Sequence, residues 1–144
     1  MLIRKPAAEV FRAFIEPDIT THFWFTSSSG PLKEGTTVTW KWEMYDASTE
    51  VRTEKIITDR LIVTKWGEPE TTVEYHFKPL DDDRTYVVIN NYGFHETGNA
   101  LIEAIKDNTG GFTTVLDGLK AYLEHGIELN LIADKFPDDA HDDA

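Results

Sequence analysis

From residue 37 onward the chain alternates: Val38, Trp40, Trp42 and Met44 fall on one side, Thr39, Lys41 and Glu43 on the other. A period of two is the mark of a strand with one buried face, and it predicts a strand over residues 37–44. Further strands are predicted over residues 51–58, 61–66, 73–78 and 85–92, with Asp59-Arg60 and the run Pro79-Leu80-Asp81-Asp82-Asp83 as turns. Gaps this short join neighbouring strands into an antiparallel meander. Ahead of it, Pro6 and the apolar positions Val10, Phe11 and Phe14 predict a short amphipathic helix. Residues 17–25 predict a second helix of one or two turns, ending in Phe23-Trp24-Phe25 and broken by Ser27-Ser28-Ser29-Gly30-Pro31.

After Gly98 the period becomes helical, with Leu101, Ile102 and Ile105 followed by Phe112, Val115, Leu116, Leu119 and Leu123. Gly110-Gly111 predicts a kink or a short break, leaving a main helix over residues 111–125 about 22 Å long. Gly126 is placed as its cap, residues 127–132 are apolar enough to dock, and residues 135–144 read as an acidic disordered tail. A sheet with one apolar face must be covered there by helices, so the expected class is α+β, a twisted antiparallel sheet curving around the last helix with a cleft between them.

Three stretches carry a family resemblance: Arg4-Lys5-Pro6-Ala7-Ala8-Glu9-Val10-Phe11-Arg12-Ala13-Phe14, the turn ending in Phe23-Trp24-Phe25, and Gly110-Gly111-Phe112 continuing through Leu116, Leu119, Lys120, Tyr122 and Leu123 to Gly126. Their order around an alternating meander resembles proteins related to the ATPase activator of heat-shock protein 90, within the START-like or SRPBCC superfamily, over about residues 2–127. The resemblance implies a helix-grip (START-like/Bet v 1-like) fold, a curved sheet of about six strands around a long C-terminal helix. It places one domain over residues 1–134 and implies a short first strand within residues 2–5.

Composition narrows the chemistry. The formal net charge of -12, to which Asp138, Asp139, Asp142 and Asp143 contribute, repels phosphate backbones and anionic headgroups, so neither nucleic acid nor a membrane surface is an expected partner. With no cysteine there is no disulfide, thiolate metal site or cysteine nucleophile. The N-terminus lacks a signal-peptide core and no segment is long enough to span a bilayer, which makes a cytoplasmic location the expectation. The five histidines show no metal-ligand spacing, and there is neither a nucleophile elbow nor a phosphate-cradling loop; no metal and no cofactor are expected.

What remains is an aromatic interior. Trp40, Trp42 and Met44 share a strand face and either pack a core or line a pocket; two indoles at alternate positions are hard to bury completely, which favours lining. The same argument covers Trp66, Tyr75 and Phe77, and Phe112, Leu116 and Leu119 belong to the inner stripe of the long helix. Phe23-Trp24-Phe25 either plugs the end of the sheet or gates an entrance, so Trp24 joins the candidates. Asn90, Asn91, Tyr92 and His95, at the end of the last strand, either cap a turn or project a polar group into the cavity, with His95 the first acid-base candidate. The expected function is binding of a small hydrophobic or aromatic molecule. The alternatives are a cavity enzyme resembling cyclases or hydrolases, and a chaperone-activating interaction protein; a homodimer is a further partner reading.

Overall fold

The computed structural model describes residues 1–138. Seven antiparallel strands form one sheet in the order β1-β7-β6-β5-β4-β3-β2, with β1 at Leu2–Ile3, β2 at Ser27–Ser28, β3 at Thr37–Trp42, β4 at Ala47–Ile57, β5 at Leu61–Trp66, β6 at Thr71–Asp81 and β7 at Arg84–Tyr92. The helices are α1 (Ala7–Ile15), α2 (Pro17–Thr20), α3 (Gly98–His125) and α4 (Leu131–Lys135). The meander from β3 to β7 follows directly from period-two alternation. The chain's two earliest extended pieces close the sheet's edges, β1 against β7 and β2 against β3.

Four departures from the sequence expectations have physical causes. Ser27–Ser28 is a strand and not merely a breaker, because Ser28 pairs with Trp40 and Ser27 with Lys41. The strand expected to reach residue 44 stops at Trp42; Glu43–Tyr45 forms a 3-10 turn, and Asp46 in the left-handed region sends the chain back into β4. The second helix ends at Thr20, whose hydroxyl is taken up by the Ala13 carbonyl at 2.5 Å, so Phe23, Trp24 and Phe25 enter the core from turns. Finally, α3 passes through Gly110-Gly111 without a break, as neither glycine has a left-handed φ, and its 28 residues span about 42 Å. The acidic tail expected over residues 135–144 lies mostly outside the described residues, and Lys135 is the last residue of α4.

Register sorts the side chains. On the concave face stand Val38 and Trp40, then Val51 and Thr53, Ile62 and Thr64, Val73, Tyr75 and Phe77, Thr85 and Val87, all buried. A register shift between Thr53 and Lys55 marks a bulge in β4, the kind of feature that bends a strand and increases its twist. One end of that face is closed by α1, where Phe11 meets Phe77 edge-on at 5.6 Å and Phe14 lies 5.4 Å from Tyr75. The other end is closed by the second half of α3, which buries Phe112, Val115, Gly118 and Leu119. Gly118 is where the helix comes nearest: a Cβ there would stand 3.2 Å from the Cβ and carbonyl oxygen of Phe23. Gly126, with φ at +65°, ends the helix, its N–H donated to the Tyr122 carbonyl at 2.8 Å. Among the described residues, no helix is long and apolar enough to cross a membrane.

Candidate functional site

Because α3 is much longer than the stretch that buries it, its first half projects over the open end of the sheet. Two clefts result, one on each side of the helix underside, and Asn108 and Phe112 line both. The first, of about 170 Å³, lies between α3 and the end of β7; Ile89, Asn91 and Phe94 face Ile105, Thr109 and Leu116 across it. The second, of about 230 Å³, lies toward α4, with Trp24, Trp66 and Ile132 opposite Asp107, Gly111 and Val115. Phe112 separates them, its ring 5.8 Å from both Trp24 and Trp66.

Trp24 is the hub of the aromatic interior. Its ring meets Trp40 at 4.8 Å and Trp66 at 6.0 Å edge-to-face, and Tyr75 at 6.3 Å in a tilted contact. Trp40 is also stacked on Phe25 at 4.5 Å and is fully buried. Trp40, Tyr75, Phe77 and Leu119 are therefore packed core and line neither cleft, while Trp24, Trp66, Phe112 and Leu116 do line them. Trp42 is half-buried against the same cluster.

Three candidates stand elsewhere than expected. Met44, carried off the strand by the 3-10 turn, is 37% exposed and borders a separate cleft with Phe23, Glu128 and Leu129. Tyr92 has the wrong parity: Val87, Ile89 and Asn91 face inward, so Tyr92 faces the convex side and gives its hydroxyl to Glu74 at 2.5 Å. That bond raises the Tyr92 pKa and, together with the His76 contact at 2.8 Å, holds Glu74 below the usual carboxylate value. His95 is exposed, its Nε2 3.2 Å from the Glu70 carbonyl, and it lines neither cleft. A cavity acid-base role for it has no geometric support.

The polar content of the clefts is small. Asn91, flagged in the sequence with three neighbours, is the one of the four that reaches the first cleft; inward alternation after Val87 and Ile89 was the signal that separates it. Its amide nitrogen is held by the Thr72 carbonyl at 2.8 Å and Thr71 Oγ1 at 3.0 Å, leaving Oδ1 without a partner. Asn108 gives its amide to the Ala104 carbonyl at 2.9 Å. Ile89, Phe94, Ile105, Asn108 and Ile132 were not singled out by sequence reasoning, since their role depends on how far α3 projects. No basic side chain among the described residues lines either cleft, and Asp107 is the single acidic one. Tyr75 is kept protonated by burial, which pushes its pKa upward.

Known proteins place this arrangement. The family described as Activator of Hsp90 ATPase homolog 1-like protein matches residues 4–124. Among solved structures, the protein SSP2350 from Staphylococcus saprophyticus is 29% identical with a TM-score of 0.78, over 90% of this chain and 91% of that one. The solution structure of the Aha1 dimer from Colwellia psychrerythraea is 18% identical with a TM-score of 0.72, over 88% and 93%. CalU16 from Micromonospora echinospora is 16% identical with a TM-score of 0.66, over 92% and 76%. The last two likenesses speak to the fold alone. No curated protein matches the chain.

Proposed function

We infer the function from one premise: the chain belongs to the Activator of Hsp90 ATPase homolog 1-like family, in the START-like superfamily. The protein binds a small, largely apolar aromatic molecule between the concave face of the sheet and the projecting half of α3. The observation that carries this reading is the pair of apolar clefts meeting at Phe112, floored by indole and phenyl rings and covered by a helix segment that is itself unburied. Volumes of about 170 and 230 Å³ exceed the roughly 150 Å³ that holds a benzene ring, yet fall below the roughly 300–1,000 Å³ usual for drug-sized ligands. Each cleft suits one ring, and displacement of Phe112 joins them for a two-ring molecule. Trp24 and Trp66, together with Phe112 and Leu116, are the contacting residues in this reading, with Asn91 the orienting polar group.

The test is titration with a panel of one- and two-ring aromatic compounds, followed by tryptophan emission and melting temperature. Binding should quench or shift the emission of Trp24 and Trp66 and raise the melting temperature, because a ligand that binds only the folded state stabilises it. Unchanged emission and melting across the panel would overturn the reading.

A further inference from the structure

Buried side-chain oxygens without a hydrogen-bond partner are few among the described residues, and three of the four stand on the concave face: Thr53 Oγ1 on β4, Tyr75 OH on β6 and Asn91 Oδ1 on β7. The fourth, Glu96 Oε2, belongs to the connection before α3. Strand register aligns the three. Thr53 is opposite Thr64, Thr64 is opposite Val73, and Val73 is opposite Asn91, while Tyr75 lies two residues from Val73 on the same face. Three strand spacings make this row about 14 Å long.

An orphaned buried oxygen costs about 1–3 kcal/mol of desolvation, so Asn91 Oδ1, without a partner beside the first cleft, is an expensive feature for a surface that serves only as core. Thr53 and Tyr75 are each 1% exposed, and Asn91 lines the first cleft with its amide orientation set by Thr71 and Thr72. The Tyr75 ring and the Phe112 ring both lie against Trp24, so the inner part of the row is screened from the clefts by that aromatic layer.

We propose that Asn91 Oδ1 is the polar anchor of the ligand site, and that the ligand is a neutral aromatic molecule carrying a hydroxyl or N–H donor. The inference rests on the ligand-binding reading above and adds the ligand's chemistry to it. Asn91 Oδ1 can only accept, so the molecule must donate. A carboxylate or phosphate would find no basic side chain lining the first cleft, where Asn91 stands.

The experiment uses the full chain and four probes: p-cresol, toluene, p-toluate and 2,6-dihydroxynaphthalene, followed by heteronuclear NMR. p-Cresol should shift the Asn91 side-chain amide and bind about tenfold more tightly than toluene, with p-toluate weaker than both. Asn91→Leu should bring p-cresol to the level of toluene. Asn91→Leu should weaken the dihydroxynaphthalene likewise, whereas Tyr75→Phe and Thr53→Val, at positions that line neither cleft, should bind it as the wild type does. Equal affinity for p-cresol and toluene, or undiminished p-cresol binding by Asn91→Leu, would overturn the Asn91 anchor and leave the apolar site standing. Binding by none of the four probes would remove both.

Discussion

One helix lives in two environments. Between Phe112 and Leu119, α3 buries Phe112, Val115, Gly118 and Leu119 against Phe23, Trp24 and the sheet. Between residues 98 and 111 none is fully buried: Leu101, Ala104, Asn108 and Gly111 are half-buried on one face, and Ile102 and Ile105 stand 62% and 47% exposed. The backbone is helical throughout, so the difference is one of packing. Helical hydrogen bonds hold either half in shape, but apolar burial anchors only the second. A segment held mainly by its own hydrogen bonds over two apolar clefts is the part of the molecule able to admit a ligand without unfolding the rest.

Substitutions that break this contrast should rank by burial. Leu119→Ala, at a fully buried position, should cost about 3 kcal/mol in urea denaturation. Two of the glycines in α3 should respond in opposite directions. Gly118→Ala forces a methyl against the Phe23 backbone and should cost about 1–2 kcal/mol, whereas Gly111→Ala meets nothing within 4 Å and should gain up to about 1 kcal/mol of helix propensity. A rise in stability from Gly118→Ala would mean that α3 is not gripped there.

The anchored half also carries a pH signature. Burial alone would raise the Glu124 pKa, but the Lys120 ammonium at 2.6 Å and the Arg4 N–H at 3.0 Å outweigh it and hold the carboxyl below its ordinary value of 4.5. A depressed carboxylate contributes stability that is present above its unfolded pKa and lost as pH falls through the folded one. Thermal melts should therefore weaken below about pH 4.5, and Glu124→Gln should flatten that acid limb while costing about 1 kcal/mol at neutral pH. The smallest effect belongs to the free half: Ile102→Ala and Ile105→Ala should each change stability by less than about 0.5 kcal/mol, and amides of residues 98–111 should exchange faster than those of residues 112–123.

Much of the architecture was legible in the sequence. Period-two alternation located β3 through β7, and the switch to a period near 3.6 located α3, because both patterns are imposed by local geometry before any distant contact forms. Parity within a strand was legible too, but counting Tyr92 among the cavity residues passed over it: alternation puts Val87, Ile89 and Asn91 on one side and Tyr92 on the other. Where the expectation for Met44 failed, a turn had ended the alternation two residues early, and Asp46 in the left-handed region was its local trace. Expecting Gly110-Gly111 to break the helix overrated glycine, which weakens a helix without forbidding it.

The chain on its own determined the elements, the inward face of each strand and the aromatic character of the interior, since these depend on the spacing of apolar residues and on backbone sterics. Tertiary structure alone decided which rings interlock and which border empty space. Trp40 and Tyr75 vanish into the core while Trp24, Trp66 and Phe112 edge the clefts, although all five are large aromatics. That division follows from where Gly118 lets α3 descend onto Phe23 and how far the helix then projects, a relation between residues far apart in the chain that no local pattern encodes.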